Sequence, residues 1–123
     1  MPSGSHARLR RVLLILWLLQ LVFVISGSLL PEDQLPPLPL ENDKLIHFLS
    51  YVLLGLLPVL STARARTGLI VAGLMPVLGV ILEAGQSFIP GRSAEAGDAV
   101  ANLFGVLVGA GVAMIVRRRV ISD

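Results

Sequence analysis

The segment DKLIHFLSYVLLG, residues 43–55, sets Asp43, His47 and Tyr51 four residues apart, so that a helix would carry all three on one face with Gly55 a turn further in. Lys44 adjoins them. Further along, Glu83 and Gln86 stand three apart and Asp98 and Asn102 four apart, the last pair continued by Gly105 and Gly109. An imidazole beside carboxylates is the material of acid/base chemistry: His47 and Glu83 would exchange a proton, Asp98 would orient the imidazole, and Arg92 would meet developing negative charge. His47, Glu83 and Asp98 are also one imidazole and two carboxylates, a feasible metal set with an open position. With no HExxH, no serine elbow and no paired histidines, no resident metal or other cofactor is expected. A binding site would use the same residues differently. Arg92 offers a planar fork to a phosphate or carboxylate, Lys44 a point charge, and Gln86 and Asn102 neutral hydrogen bonds.

Several of these residues have plainer roles open to them. Lys44 suits an interfacial snorkelling position. Asp43 and Asp98 suit helix N-caps, worth about 1 kcal/mol each, and Tyr51 suits an aromatic belt or simple packing. His47 and Glu83 are harder to explain away, because ionisable groups at the membrane edge face a partner or a water-filled space. Glu83 ends an apolar run, where the helix dipole disfavours a carboxylate by a few tenths to about 1 kcal/mol. It is expected either to pair with Arg92 or Lys44 or to hold its proton.

The elements that position these groups follow from composition. The chain has 123 residues, 54% of them hydrophobic, and a mean hydropathy of +0.83. Its apolar runs predict a single all-α domain, residues 1–123, built as a membrane-embedded four-helix bundle with helices at about 12–30, 45–61, 67–84 and 99–116. Arg8, Arg10 and Arg11 ahead of the first run, with Ser26-Gly27-Ser28 near its end, imitate a secretory signal. That run exceeds the roughly 7–15 residues of a signal core, and further spans follow it, so it reads as a retained helix. Pro58 and Pro76 fall inside the second and third helices and are expected to kink or loosen them. The chain has no cysteine, which excludes disulfides and thiolate chemistry. The basic pI near 9.9 comes from arginines clustered beside apolar helices, a pattern that serves topology and not nucleic acid.

Those arginines also orient the chain. Arg8, Arg10 and Arg11, then Arg64 and Arg66, then Arg117, Arg118 and Arg119 fall on alternate connections, which places both termini in the cytoplasm. The other two connections hold Glu32, Asp33, Glu41, Asp43, Glu83, Glu95 and Asp98 against Lys44 and Arg92, and belong outside. The first is an extended linker punctuated by Pro36, Pro37 and Pro39, leading to Asn42 or Asp43 as a cap. The second has a turn at Pro90-Gly91 and a cap at Ser93 or Gly97-Asp98. All three polar stripes thereby fall at one depth, on the outer side, where they would line an outward-facing pocket. Gly105-x-x-x-Gly109 lets helix four pack closely within the bundle or against another copy, which would make a homo-oligomer.

In combination and order, DKLIHFLSYVLLG and EAGQSFIPGRSAEAGDAVANLFGVLVG resemble the VanZ-like family: Asp-Lys-x-x-His-x-x-x-Tyr, then Glu-x-x-Gln, an Arg after a short loop, and Asp-x-x-x-Asn-x-x-Gly. The matching positions are Asp43, Lys44, His47, Tyr51, Glu83, Gln86, Arg92, Asp98 and Asn102. The resemblance implies a multi-pass protein of the bacterial cytoplasmic (inner) membrane, acting near cell-envelope chemistry and associated with resistance to the glycopeptide teicoplanin. It carries over no catalytic residue. Three functions are consistent with the residues: a pocket for an envelope component, an anionic lipid-linked precursor or a glycopeptide-related ligand; an acid/base or metal-assisted hydrolase or transferase on a lipid headgroup; and a non-catalytic helical scaffold. A proton path is disfavoured, since the inner half of the spans is nearly all Leu, Val, Ile, Ala and Gly.

Overall fold

The computed structural model describes residues 4–31, 33, 43–91 and 95–121, without the side chains of Asp43 and Ile121. Its helices are α1 (Gly4–Leu29), α2 (Asp43–Ser61), α3 (Ala65–Gln86) and α4 (Ala96–Ile121), and all are long and apolar enough to cross a bilayer. At 1.5 Å per residue α2 is about 28 Å long, close to the hydrocarbon thickness. Helix α1 begins well before the apolar run at 12, and α4 continues through Arg117–Arg119 beyond its run. The apolar count measures what lies in lipid, whereas arginine is a good helix former and lets the backbone continue into the headgroup layer. Both proline-containing helices run uninterrupted through Pro58 and Pro76.

Side-chain contacts fix the arrangement. Lys44 at the start of α2 reaches Asp98 at the start of α4, and Arg117 near the end of α4 reaches the end of α2, so these two helices run parallel. They form the closest-packed pair of the bundle. The face of α4 turned to α2 is the stripe Asp98, Asn102, Gly105, Gly109, Ala113 and Arg117, spaced by three and four. In its middle, a Cβ at Gly105 would strike the Phe48 carbonyl and one at Gly109 the Val52 carbonyl. Backbone contact this close is what small residues at a membrane helix interface permit. The glycine seam is therefore used inside the bundle, against α2.

Helix α3 returns antiparallel after the short turn at residues 62–64 and adds Ala72, Met75 and Leu82 to a core made with Tyr51, Leu54, Val59, Val106 and Ala113. Helix α1 lies outside, contributing Val24 to the buried core and a hydrogen bond from Gln20 Nε2 to the Ser50 carbonyl at 3.2 Å. Its end, Leu29, approaches Gly85 at the end of α3. The beginnings of α2 and α4 and the ends of α1 and α3 thus share one end of the bundle, here the site end. The start of α1 and the end of α4 lie at the other.

Candidate functional site

At the site end, α2 supplies Lys44, His47 and Tyr51 from one stripe and α4 supplies Asp98 and Asn102 from the stripe facing it. Lys44 Nζ donates to Glu95 Oε2 at 2.8 Å and to Asp98 Oδ1 at 3.4 Å. His47 Nδ1 lies 3.2 Å from Asn102 Oδ1, within reach for the ring N–H to donate to the amide oxygen. Its Nε2 faces Asp98 Oδ2 at 3.9 Å, an ion pair when the imidazole is protonated and too long for a hydrogen bond. Tyr51 lies deeper, where bare Gly79 on α3 leaves room for its hydroxyl: a Cβ there would sit 3.1 Å from Tyr51 Oη and 3.0 Å from Asn102 Nδ2.

Burial is graded across this cluster. Asp98 and Asn102 are 4% and 2% exposed, whereas the side chains of Lys44 and Glu95 are 54% and 55% exposed. A carboxylate and an amide are enclosed between helices, beneath a rim made by one ion pair. The hydrogen bond from Lys44, and then its charge, hold the Glu95 carboxyl below its ordinary range.

Glu83 takes a place that resolves its unfavourable position. Its Oε1 accepts the backbone N–H of Glu95 at 2.6 Å, at the N-terminal entrance to α4. In a capping box the residue three positions into the helix reaches back to that N–H. Here that residue is Asp98, whose side chain is turned to Lys44 and His47. Glu83 supplies the missing acceptor from another helix, next to the positive end of the α4 dipole. Asp98 is thereby a buried first-turn residue instead of the expected N-cap, and the Glu95 carbonyl accepts its N–H at 3.0 Å.

Of the other expected site residues, Gln86 is buried at the end of α3. The Asp43 side chain and Arg92, together with the proposed caps Asn42 and Ser93, lie outside the described residues. Among the described residues, no three His, Asp or Glu side chains gather as a metal-ligating group, so the trio of His47, Glu83 and Asp98 is not assembled as one. Between α1 and α2 lies a groove of about 390 Å³ lined by Leu16, Leu19, Gln20, Phe23, Leu53 and Leu57. Its walls are mostly hydrocarbon, which suits an acyl chain and offers a headgroup nothing beyond Gln20.

The parallel α2/α4 pair and its polar cluster fall within a family match: VanZ/LLP1 covers residues 12–117, from the first span to Arg117. The chain belongs to the VanZ/LLP1 family. With four helices able to span a bilayer, this VanZ/LLP1 chain is a multi-pass membrane protein. No curated protein and no solved structure gives a match.

Sequence reasoning missed residues that shape the site of this VanZ/LLP1 protein or fasten its α2/α4 pair. Glu95 counted only toward loop charge, although its distance of three from Asp98 marks a helix entrance. Gly79 was one small residue in an apolar run. Arg117 counted as a topology signal, yet its guanidinium donates to the carbonyls of Val59 and Thr62 at 2.8 Å and Ala63 at 3.0 Å. Its place on the same stripe as Asp98 and Asn102 was the available clue.

Proposed function

We propose that this VanZ/LLP1 chain is a binding module for the headgroup of a cell-envelope component, with its polar cluster on the outer face of the bacterial cytoplasmic membrane and both termini inside. One observation carries this reading: Asp98 and Asn102 are enclosed between α2 and α4 and joined to the surface through the half-exposed Lys44–Glu95 pair. A bundle that only had to persist in lipid gains little from an enclosed carboxylate, because desolvation offsets most of its attraction to a partner. Ionisable groups kept at such depth mark sites. The arginine pattern supports the orientation, and reporter fusions at residues 36 and 94 are expected to read external while those at 65 and the C-terminus read cytoplasmic.

The ligand classes that fit are an anionic lipid-linked envelope precursor, met by Lys44 and Arg92, and a glycopeptide-related ligand, whose capture would link the protein to antibiotic resistance. Extraction into native nanodiscs tests the first: the wild type should carry anionic or lipid-linked envelope species above their share in the surrounding membrane. A lipid profile equal to the bulk membrane would refute it.

A second reading, acid/base catalysis on a headgroup, is favoured by the contact of His47 Nε2 with buried Asp98. His47→Gln separates the two. A site that turns its ligand over would accumulate it in this variant, and one that only binds would lose it.

A further inference from the structure

We infer that Glu95 is a built-in competitor at this site: its carboxylate occupies the Lys44 ammonium in the place that the phosphate or carboxylate of an anionic ligand would take. The inference rests on the proposed binding function and names the residue that sets the affinity for anions. The Lys44–Glu95 contact is the shorter and more exposed of the two contacts Lys44 makes, 2.8 Å against 3.4 Å to buried Asp98. Asp98 is held in place by the packing of α4 on α2, so it can retain Lys44 while Glu95 is exchanged.

The Glu95 side chain is also independent of the fold around it. Its backbone N–H goes to Glu83 and its carbonyl accepts from Asp98, so the entrance to α4 is closed by main-chain groups without the Glu95 carboxylate. An exposed ion pair is weak and readily exchanged. A lipid phosphodiester carries the same single charge as the Glu95 carboxylate and arrives with the rest of its headgroup and its acyl chains, so it can exchange with that carboxylate at the same ammonium. Only an anion that brings enough additional binding to displace Glu95 would be held, which excludes dilute simple anions and favours a headgroup already concentrated at the membrane surface.

The test uses the full chain in nanodiscs of phosphatidylcholine doped with phosphatidylglycerol, reading lipid retained on the protein, with a parallel arm in which inorganic phosphate is added to undoped discs. Glu95→Gln keeps the side-chain shape and should raise phosphatidylglycerol retention about two- to fivefold, the span set by one exposed ion pair. The gain should vanish in the Lys44→Gln background, and Asp33→Asn, which removes an acid of the other loop, should produce none. A gain with phosphatidylglycerol alone identifies a lipid headgroup as the ligand, whereas an equal gain with inorganic phosphate identifies a free anion. Wild-type retention of phosphatidylglycerol with no gain in Glu95→Gln, or a gain that persists without Lys44, overturns the competition. If neither protein retains any anion, the anionic binding reading itself falls. Cooperative thermal unfolding of each variant, with Glu95→Gln only slightly below the wild type, confirms that retention is compared between folded proteins.

Discussion

The two ends of the α2/α4 pair are each tied by a cation, and they are built differently. At the end where α1 begins and α4 ends, Arg117 of α4 reaches the Val59 carbonyl in the last turn of α2 and the Thr62 and Ala63 carbonyls of the turn that follows. Thr62 also donates its hydroxyl to the Pro58 carbonyl at 2.8 Å, beside its own backbone N–H at 3.3 Å. Arginine is the only titratable group in this arrangement, and it stays charged at any working pH. At the site end, Lys44 of α2 is held by two carboxylates, with an imidazole beside them at 3.9 Å. Fastening two helices therefore needs no carboxylate and no histidine, as the Arg117 end demonstrates. The acids and imidazole at the other end call for an explanation beyond fastening.

The largest expected effect breaks the Arg117 end. Arg117→Ala should cost about 2–3 kcal/mol in unfolding, since charge-assisted hydrogen bonds are lost and carbonyls are left without donors. Arg117→Lys should recover only part of this, because a single ammonium cannot fork across carbonyls on successive residues. Arg118→Ala, on an exposed side chain, should be close to neutral. Thermal unfolding in one detergent checks all of them.

A smaller effect separates capping from site chemistry at Glu83. Glu83→Ala removes the acceptor for the Glu95 N–H and should cost about 1 kcal/mol, as loss of a cap does. Glu83→Gln retains an amide oxygen there and should cost much less. Equal losses in the two would mean that the charge of Glu83, and not its acceptor, is what α4 needs.

The smallest effect concerns pH. Lys44 lowers the folded-state pKa of Glu95, so the ion pair contributes stability above the ordinary carboxylate value of about 4.5 and loses it as pH falls through the lower folded value. His47, Asp98 and Glu83 face the same region from α2, α4 and α3. The informative quantity is therefore the difference between wild type and Glu95→Gln, which should be constant from pH 7 to near the ordinary carboxylate value and shrink below it. A difference independent of pH would remove the ion pair from the account.

The four helices were legible because apolar runs of spanning length have few alternatives, and the polar stripes of the candidate site were legible where a single helix carried each. Asp43, His47 and Tyr51, or Asp98 and Asn102, are related by helical spacing alone. What one helix does for another left weaker traces. The parallel pairing of α2 with α4 was not visible, since the partner of Gly105 and Gly109 depends on which face of which helix meets them. Arg117 looked like its neighbours Arg118 and Arg119 until α2 ended opposite it. The acceptor role of Glu83 depended on Asp98 being occupied elsewhere, a condition set by tertiary structure.

Asp98→Asn tests the central claim most directly, read simultaneously as unfolding stability and as lipid profile in native nanodiscs. Asparagine keeps the shape and an acceptor oxygen, Lys44 keeps Glu95, and the desolvation cost of a buried carboxylate disappears. The account predicts a stability within about 1 kcal/mol of wild type together with loss of the enriched envelope component. A variant that unfolds as readily as Arg117→Ala, while its folded fraction keeps the wild-type lipid profile, would show that Asp98 is a fastener like the arginine at the other end.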